Sequence, residues 1–236
     1  MLTNNKAVIA VALVVILILA IIVKTTFFNK WAAYNKIDIE NRSVHVRTTT
    51  NDIVLYEIPG NAPLIERTKS DKIREGFSAG TTSYKEKGGE VIYVGIPKGD
   101  YSLEVETVSG NITGAMNASE VELSTVSGNI KVEHLTAKEV ELTTTSGDIK
   151  VNELETEEID TKTVSGDVVI DDYLAKDGNF KSVSGDITLQ TSIESFTYSS
   201  TSVSGETISD IPFTENSAHT LKANTVSGDV MIKRLI

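Results

Sequence analysis

The sequence predicts an all-β chain, a parallel β-solenoid of about seven rungs of 18–23 residues with an irregular N-terminal β cap, preceded by one transmembrane helix. Three observations predict it. A Ser-Gly pair recurs at Ser109, Ser127, Ser146, Ser165, Ser184, Ser204 and Ser227, at intervals of 18, 19, 19, 19, 20 and 23 residues, and near-constant spacing is the signature of a stacked repeat. Each copy sits among alternating apolar and polar residues rich in Val, Ile and Thr, the pattern of strands with one buried face. Ahead of them all, Ala7 to Val23 is an uninterrupted apolar run.

Taken in chain order, residues 1–6 form a short polar tail and 7–28 a membrane anchor. The run from Ala7 to Val23 would reach roughly 25 Å as a helix, and Thr25 to Phe28 extend it while Lys24 snorkels. A cleaved signal peptide is the competing reading, but its apolar core is usually shorter, and no small-x-small cleavage site precedes Trp31. Charge nearly ties the orientation: Lys6 and the terminal amine oppose Lys24, Lys30 and Lys36. The six-residue tail favours a signal anchor with the large domain outside the cytoplasm. Residues 29–36 are then a linker.

Residues 37–100 hold strand-like runs (Ile37–Ile39, Val44–Val46, Ile53–Leu55, Val91–Val94) that read as the opening β region, with Thr49-Thr50-Asn51-Asp52-Ile53 a degenerate copy of the repeat. Between them Pro63 to Gly89 is polar and rich in Lys, Ser and Gly, which predicts a long loop or hairpin. Residues 101–236 are the repeat domain.

Registering the copies on the Ser assigns a role to each position, because alternate residues of a strand face opposite sides. Two before the Ser runs a hydroxyl row: Thr107, Thr125, Thr144, Thr163, Ser182, Ser202 and Thr225. Four before it stand Val105, Leu123, Leu142, Thr161, Phe180, Ser200 and Ala223, and six before it Leu103, Val121, Val140, Ile159, Gly178, Tyr198 and Leu221. This parity faces inward. The opposite parity carries Glu104, Glu122, Glu141 and Asp160 and faces water. After the Gly a second wall begins with Ile112, Ile130, Ile149, Val168, Ile187 and Val230. Gly110, Gly128, Gly147, Gly166, Gly185, Gly205 and Gly228 are expected as turn glycines, because Gly adopts positive φ without penalty. The last strand, Val230 to Ile236, ends in Lys233 and Arg234, charges suited to protecting an open edge.

The recurring Val-Ser-Gly-Asp-Ile, led in by Val94-Gly95-Ile96-Pro97-Lys98-Gly99-Asp100-Tyr101-Ser102-Leu103, resembles the adhesin-type family of bacterial β-solenoid domains over roughly residues 37–236. Tail, anchor and domain together are similar in order to a membrane protein associated with the envelope stress response of low-GC Gram-positive bacteria. The resemblance implies an envelope location and context. The family's molecular activity is undefined, so no catalytic residue is carried over.

Composition narrows function further. After the first thirty residues, 33 carboxylates face 19 Lys and Arg, a net charge of −14. Nucleic acid is excluded as the main ligand, since binding it needs clustered cations that displace counterions. Without cysteine there is no disulfide, no thiolate metal site and no Cys nucleophile.

The corner row Asn111, Asn129, Asp148, Asp167, Asp186, Glu206 and Asp229 can be read as a divalent-cation row, or as turn formers bonding backbone amides. The second reading is favoured, because the Gly-Gly-x-Gly-x-Asp pattern of calcium-binding β-rolls is missing. Just before each Ser stand Val108, Val126, Val164, Val183, Val203 and Val226, with Thr145 as the exception. They have outward parity and are either tucked in by a bulge, the favoured reading, or form a candidate partner stripe. The Thr row resembles the flat Thr arrays of ice-binding solenoids, but it shares parity with the core, which favours a hydroxyl ladder beside that core.

His45, His134 and His219 have no sequence-local partner that makes them ligands or bases. Asp171 with Asp172, and Glu157 with Glu158, would be the carboxylates of a glycan-active β-helix enzyme, but adjacent strand residues face opposite ways. No catalytic, cofactor-binding or metal residue is assigned. The expected function is a non-catalytic, membrane-anchored extracytoplasmic binding or scaffold module contacting an envelope protein or cell-wall polymer. The alternative is a tethered scaffold, even a cytoplasmic one, assembling through solenoid ends.

Overall fold

The computed structural model describes residues 36–40, 42–67, 91–212 and 214–235. The expected anchor at 7–28, the tail and most of the linker lie outside them. Among the described residues no helix is long and apolar enough to cross a membrane.

Every element among the described residues is a strand, and these seventeen belong to one curled sheet. In chain order they are β1 (Lys36–Glu40), β2 (Ser43–Arg47), β3 (Ile53–Ile58), β4 (Leu64–Arg67), β5 (Ile92–Pro97), β6 (Ser102–Thr107), β7 (Ile112–Asn117), β8 (Glu120–Thr125) and β9 (Ile130–Thr136). They continue with β10 (Glu139–Thr143), β11 (Ile149–Lys162), β12 (Val168–Lys181), β13 (Ile187–Thr191), β14 (Thr197–Ser204), β15 (Thr207–Ser209), β16 (Thr220–Ser227) and β17 (Val230–Arg234).

One wall of the solenoid is made by the strands before each Ser-Gly corner and a second wall by those after it. Pairing is parallel and in register, so Leu103, Val121, Val140 and Ile159 form one buried column and Val105, Leu123 and Leu142 another. Ile53, Ile112, Ile130, Ile149, Val168, Ile187 and Val230 line the facing wall. A third side follows a bend, where Met116, Leu135, Leu154 and Tyr173 stack and are buried. The inward and outward assignment made from parity holds at these positions.

The degenerate copy is a true coil. Ile53 pairs with Ile112 and Val44 with Leu103, so β2 and β3 are the first coil of the parallel stack. At its near end lie β1, antiparallel to β2, and β5, parallel to β3 and itself flanked by antiparallel β4. β4 falls in the stretch expected to be a loop. Leu64 and Ile65 pair with Gly95 and Val94, an available strand edge that the local composition does not advertise.

At the far end the spatial order departs from the chain order. β16 pairs with β12 on one side and β14 on the other, and β17 lies between β13 and β15. The last coil in sequence is therefore inserted beneath the preceding one, and β14–β15 is the outermost coil. Residues 192–196 make this feasible: at about 3.3 Å per extended residue they outreach the roughly 4.8 Å spacing of one coil. This corrects the expectation for Val230–Ile236. β17 is interior over Val230–Ile232, where β15 covers it, whereas Lys233 and Arg234 run past the end of β15 and pair with Gln190 and Thr191 of β13 alone, so they flank an edge only there.

Gly178 illustrates compensation in the core. It occupies the inward position held by Ile159 and Leu221 in the adjacent coils. A β-carbon there would lie 2.3 Å from the hydroxyl of Tyr173, whose fully buried ring fills the space. That ring meets Phe180 edge-on with centroids 5.7 Å apart and Phe196 at 6.0 Å. Burial, with Asp177 nearby, pushes the Tyr173 phenol well above its ordinary value.

Candidate functional site

The repeated corner is the most distinctive constellation, and three of its side-chain positions are committed to joining coils. Thr125 Oγ1 accepts the N–H of Gly128 at 3.1 Å and donates to the carbonyl of Gly110, in the coil below, at 3.1 Å. Thr144 likewise donates to Gly128 O at 3.1 Å, Thr163 to Gly147 O at 3.4 Å and Thr225 to Gly185 O at 3.1 Å. The hydroxyl row is thus a buried ladder beside the core, the arrangement parity favoured.

The glycines are required chiefly by close approach. A β-carbon at Gly128 would stand 1.9 Å from Gly110 O, and at Gly147, Gly166 and Gly185 it would meet the preceding Gly carbonyl at 2.0–2.1 Å. Positive φ, the reason expected from sequence, applies at Gly166, Gly185 and Gly228, with φ of 156°, 155° and 146°, but not at Gly110, Gly128, Gly147 or Gly205. In the opening coil Asn51 takes the Gly position and is buried.

The corner acids and amides form a third ladder. Asp52 Oδ1 accepts the N–H of Asn111 at 2.7 Å, Asn111 Oδ1 that of Asn129 at 2.9 Å, and Asn129 Oδ1 that of Asp148 at 2.9 Å. Asp148, Asp167 and Asp186 continue it to Asp167, Asp186 and Asp229, and Asp229 Oδ1 takes the N–H of Glu206 at 2.8 Å. One oxygen of each side chain is therefore engaged with backbone. Among the described residues no group of three or more His, Asp or Glu is arranged to hold a metal ion.

The Val row lies on the outside. Val108, Val126, Val164, Val183 and Val226 are half-buried against their neighbours, and Val203, in the outermost coil, is 54% exposed. No bulge turns them into the core, which corrects the favoured reading. The Ser of each copy is exposed beside this row, and nothing in the structure explains why it is Ser.

The outer face of the first wall is acidic. Glu104, Glu122, Glu141 and Asp160 stack directly in one column, and Glu120, Glu139, Glu158 and Asp177 in the next. All but Asp177 line a surface depression of about 350 Å³. Lys162 approaches Glu141 at 3.1 Å and Asp160 at 3.6 Å.

At the near end of this face His45 Nδ1 lies 2.5 Å from Glu104 Oε2 and His45 Nε2 lies 2.8 Å from Ser43 Oγ. Parallel pairing of β2 with β6 brings these groups together, a contact invisible in local sequence. The trio has the order of a nucleophile, base and orienting acid, but three features disqualify it for acyl transfer. β2 is paired on both sides, so its amides serve the ladders and not an oxyanion. Arg47 takes the other oxygen of Glu104 at 2.9 Å and also grips Glu106 at 2.6 Å. The surrounding carboxylates would oppose developing negative charge.

This network divides two neighbouring carboxyls. Burial works to raise Glu104, but hydrogen bonds from Arg47 and His45 prevail and hold it below its ordinary value. Burial raises Glu106 and prevails over the attraction of Arg47, with Glu104 and Glu122 adding repulsion.

The remaining candidates are dispersed. Asp171 and Asp172 sit at the bend after the second wall, with Asp171 Oδ2 2.9 Å from Lys150 Nζ, and Glu157 and Glu158 are exposed at a return. His134 Nδ1 contacts Glu153 at 2.7 Å, and His219 Nδ1 lies 3.0 Å from the carbonyl of Ala175.

Residues 34–234 match the model of one protein family, described as Toastrack DUF4097. No curated protein and no solved structure matches the chain.

Proposed function

The chain belongs to the Toastrack DUF4097 family, and from that premise we propose that it is a non-catalytic, membrane-anchored extracytoplasmic binding or scaffold module. The observation that carries this reading is the commitment of the repeated Thr and Asx side chains to bonds between coils, with the Gly backbone in close contact with the coil below. The repeat is the means of building a rigid stack, and the outward carboxylates of the first wall are left available for a partner.

The apolar run from Ala7 to Val23 supports a tether, and its order with the domain resembles LiaG, which supports a role in envelope stress or adhesion-like contacts. The stacked carboxylates of the first wall favour a cationic envelope protein or polymer as partner, because in-register like charges cost stability that a cation would relieve. The antiparallel strands β1 and β4 weigh against an open-ended filament.

Two experiments test the reading. A single cysteine replacing exposed Lys138, in this cysteine-free chain, should react in intact cells with a membrane-impermeant maleimide; reaction only after permeabilisation would place the solenoid inside. Photo-cross-linking from position 122 or 139 should recover an envelope component, and Glu122→Lys with Glu141→Lys should abolish its capture. Failure to recover any such component would sink the binding reading.

A further inference from the structure

We propose that the outermost coil, β14–β15, is a homodimer interface that receives the same edge of a second copy of this chain in antiparallel register. This is independent of what the outer faces bind. The two ends of the stack are unlike. Among the described residues both ends present edge strands, but β1, paired with β2, and β4, paired with β5, carry charged residues (Lys36, Asp38 and Glu40; Glu66 and Arg67), whereas β14, paired with β16, and β15, paired with β17, carry none. An edge of this kind offers backbone donors and acceptors to another strand. The loop after β15 meets the start of this edge, where the N–H of Thr214 donates to Phe196 O at 3.0 Å and the Thr197 hydroxyl donates to Thr214 O at 2.9 Å.

Charge selects the occupant. The chain carries a net charge of −11, yet no charged residue occurs from Thr197 to Gly205, so two copies can meet here without bringing carboxylates together. The apolar side chains agree: Val203 at 54% and Ile208 at 50% are the most exposed large hydrophobic residues described, and both belong to this coil. Val203 stands at the end of the Val row, and Ile208 stacks on half-exposed Met231, so a second copy would continue both apolar stripes.

Closure follows from the charge difference between the ends. A head-to-tail contact would set the uncharged edge of β14–β15 against edge strands that carry charge, so like meets like about a two-fold axis, which ends assembly at two copies. In such a pair Ser199, Thr201 and Val203 share the outer face with their counterparts.

The test uses the full chain in detergent. Sedimentation, with bound detergent subtracted, should give twice the chain mass, and Thr201→Lys with Val203→Lys should return it to one chain mass with unchanged circular dichroism. Single-cysteine variants Ser199→Cys, Thr201→Cys and Val203→Cys should yield covalent dimers on oxidation, fastest at the position nearest the axis, while Lys98→Cys near the opposite end should not. A monomer mass at every concentration would overturn the proposal, as would equal cross-linking at both ends. Should the lysine variant lose its circular dichroism, the cysteine comparison alone decides.

Discussion

The α-carbon of Gly128 lies so close to the carbonyl of Gly110 that a β-carbon on it would stand 1.9 Å from that oxygen. The contact recurs along the solenoid and sets the spacing of the corner column, so its loss is felt by two coils at once.

Gly128→Ala should therefore destabilise the domain by roughly 3 kcal/mol, at the severe end for single substitutions. Ser127→Ala, one residue away on the exposed side, should stay within about 0.5 kcal/mol. Urea unfolding of the two variants checks the contrast. Equal stability would mean that the corner relaxes freely.

The Asx ladder predicts a particular tolerance. Asp148→Asn keeps an oxygen to accept the N–H of Asp167 and should be nearly neutral. Asp148→Ala leaves that amide to solvent and should cost about 1 kcal/mol. Calcium titration followed by thermal melting provides the complementary reading: a large calcium-dependent rise in Tm, lost in Asp148→Asn, would replace the hydrogen-bond account with a metal one.

Position in the Val row should matter less than position in the core. Val126→Lys, half-buried and outward, can direct its ammonium to water along an aliphatic stem and should cost about 1 kcal/mol. Val132→Lys, fully buried, should prevent folding, because an unpaired charge would enter the core. Denaturant midpoints and the yield of folded protein separate the two.

Glu104 and Glu106 should give opposite pH dependences. The carboxyl of Glu104 is held low in the folded state, so its contribution is present above the ordinary value of 4.5 and disappears as pH falls through the depressed one. That of Glu106 is held high, so the folded state favours its proton, and the penalty of ionisation appears as pH rises through the raised value. Glu104→Gln should thus be less stable than the parent at pH 7. Glu106→Gln should be more stable there, its advantage closing below about pH 4.5. Melting curves between about pH 3 and about pH 7, a span that brackets ordinary carboxyl titration, check both signs.

Salt should stabilise the parent domain. The Debye length falls from about 10 Å at 0.1 M to about 3 Å at 1 M, screening the stacked carboxylates of the first wall. Removing part of that column with Glu122→Gln and Glu141→Gln should reduce the salt-induced gain in Tm. An unchanged gain would show that repulsion along the column is not what salt relieves.

The sequence by itself determined the coil. Its Ser-Gly period, the parity of Leu103, Val105 and Thr107, and the recurring Ile after each corner are local patterns, and strand geometry converts them directly into inward and outward faces. The degenerate copy at Thr49–Ile53 was legible for the same reason. Tertiary structure alone decided what depends on contacts distant in the chain. It set the insertion of β16–β17 beneath β14–β15, since coils with similar edges are exchangeable neighbours and only connection length and packing choose their order. It assembled Ser43 and His45 with Glu104, because parallel pairing joins residues 59 apart. It also assigned the corner glycines to steric closeness, since the carbonyl that excludes a β-carbon belongs to another coil and leaves no mark beside the glycine in sequence.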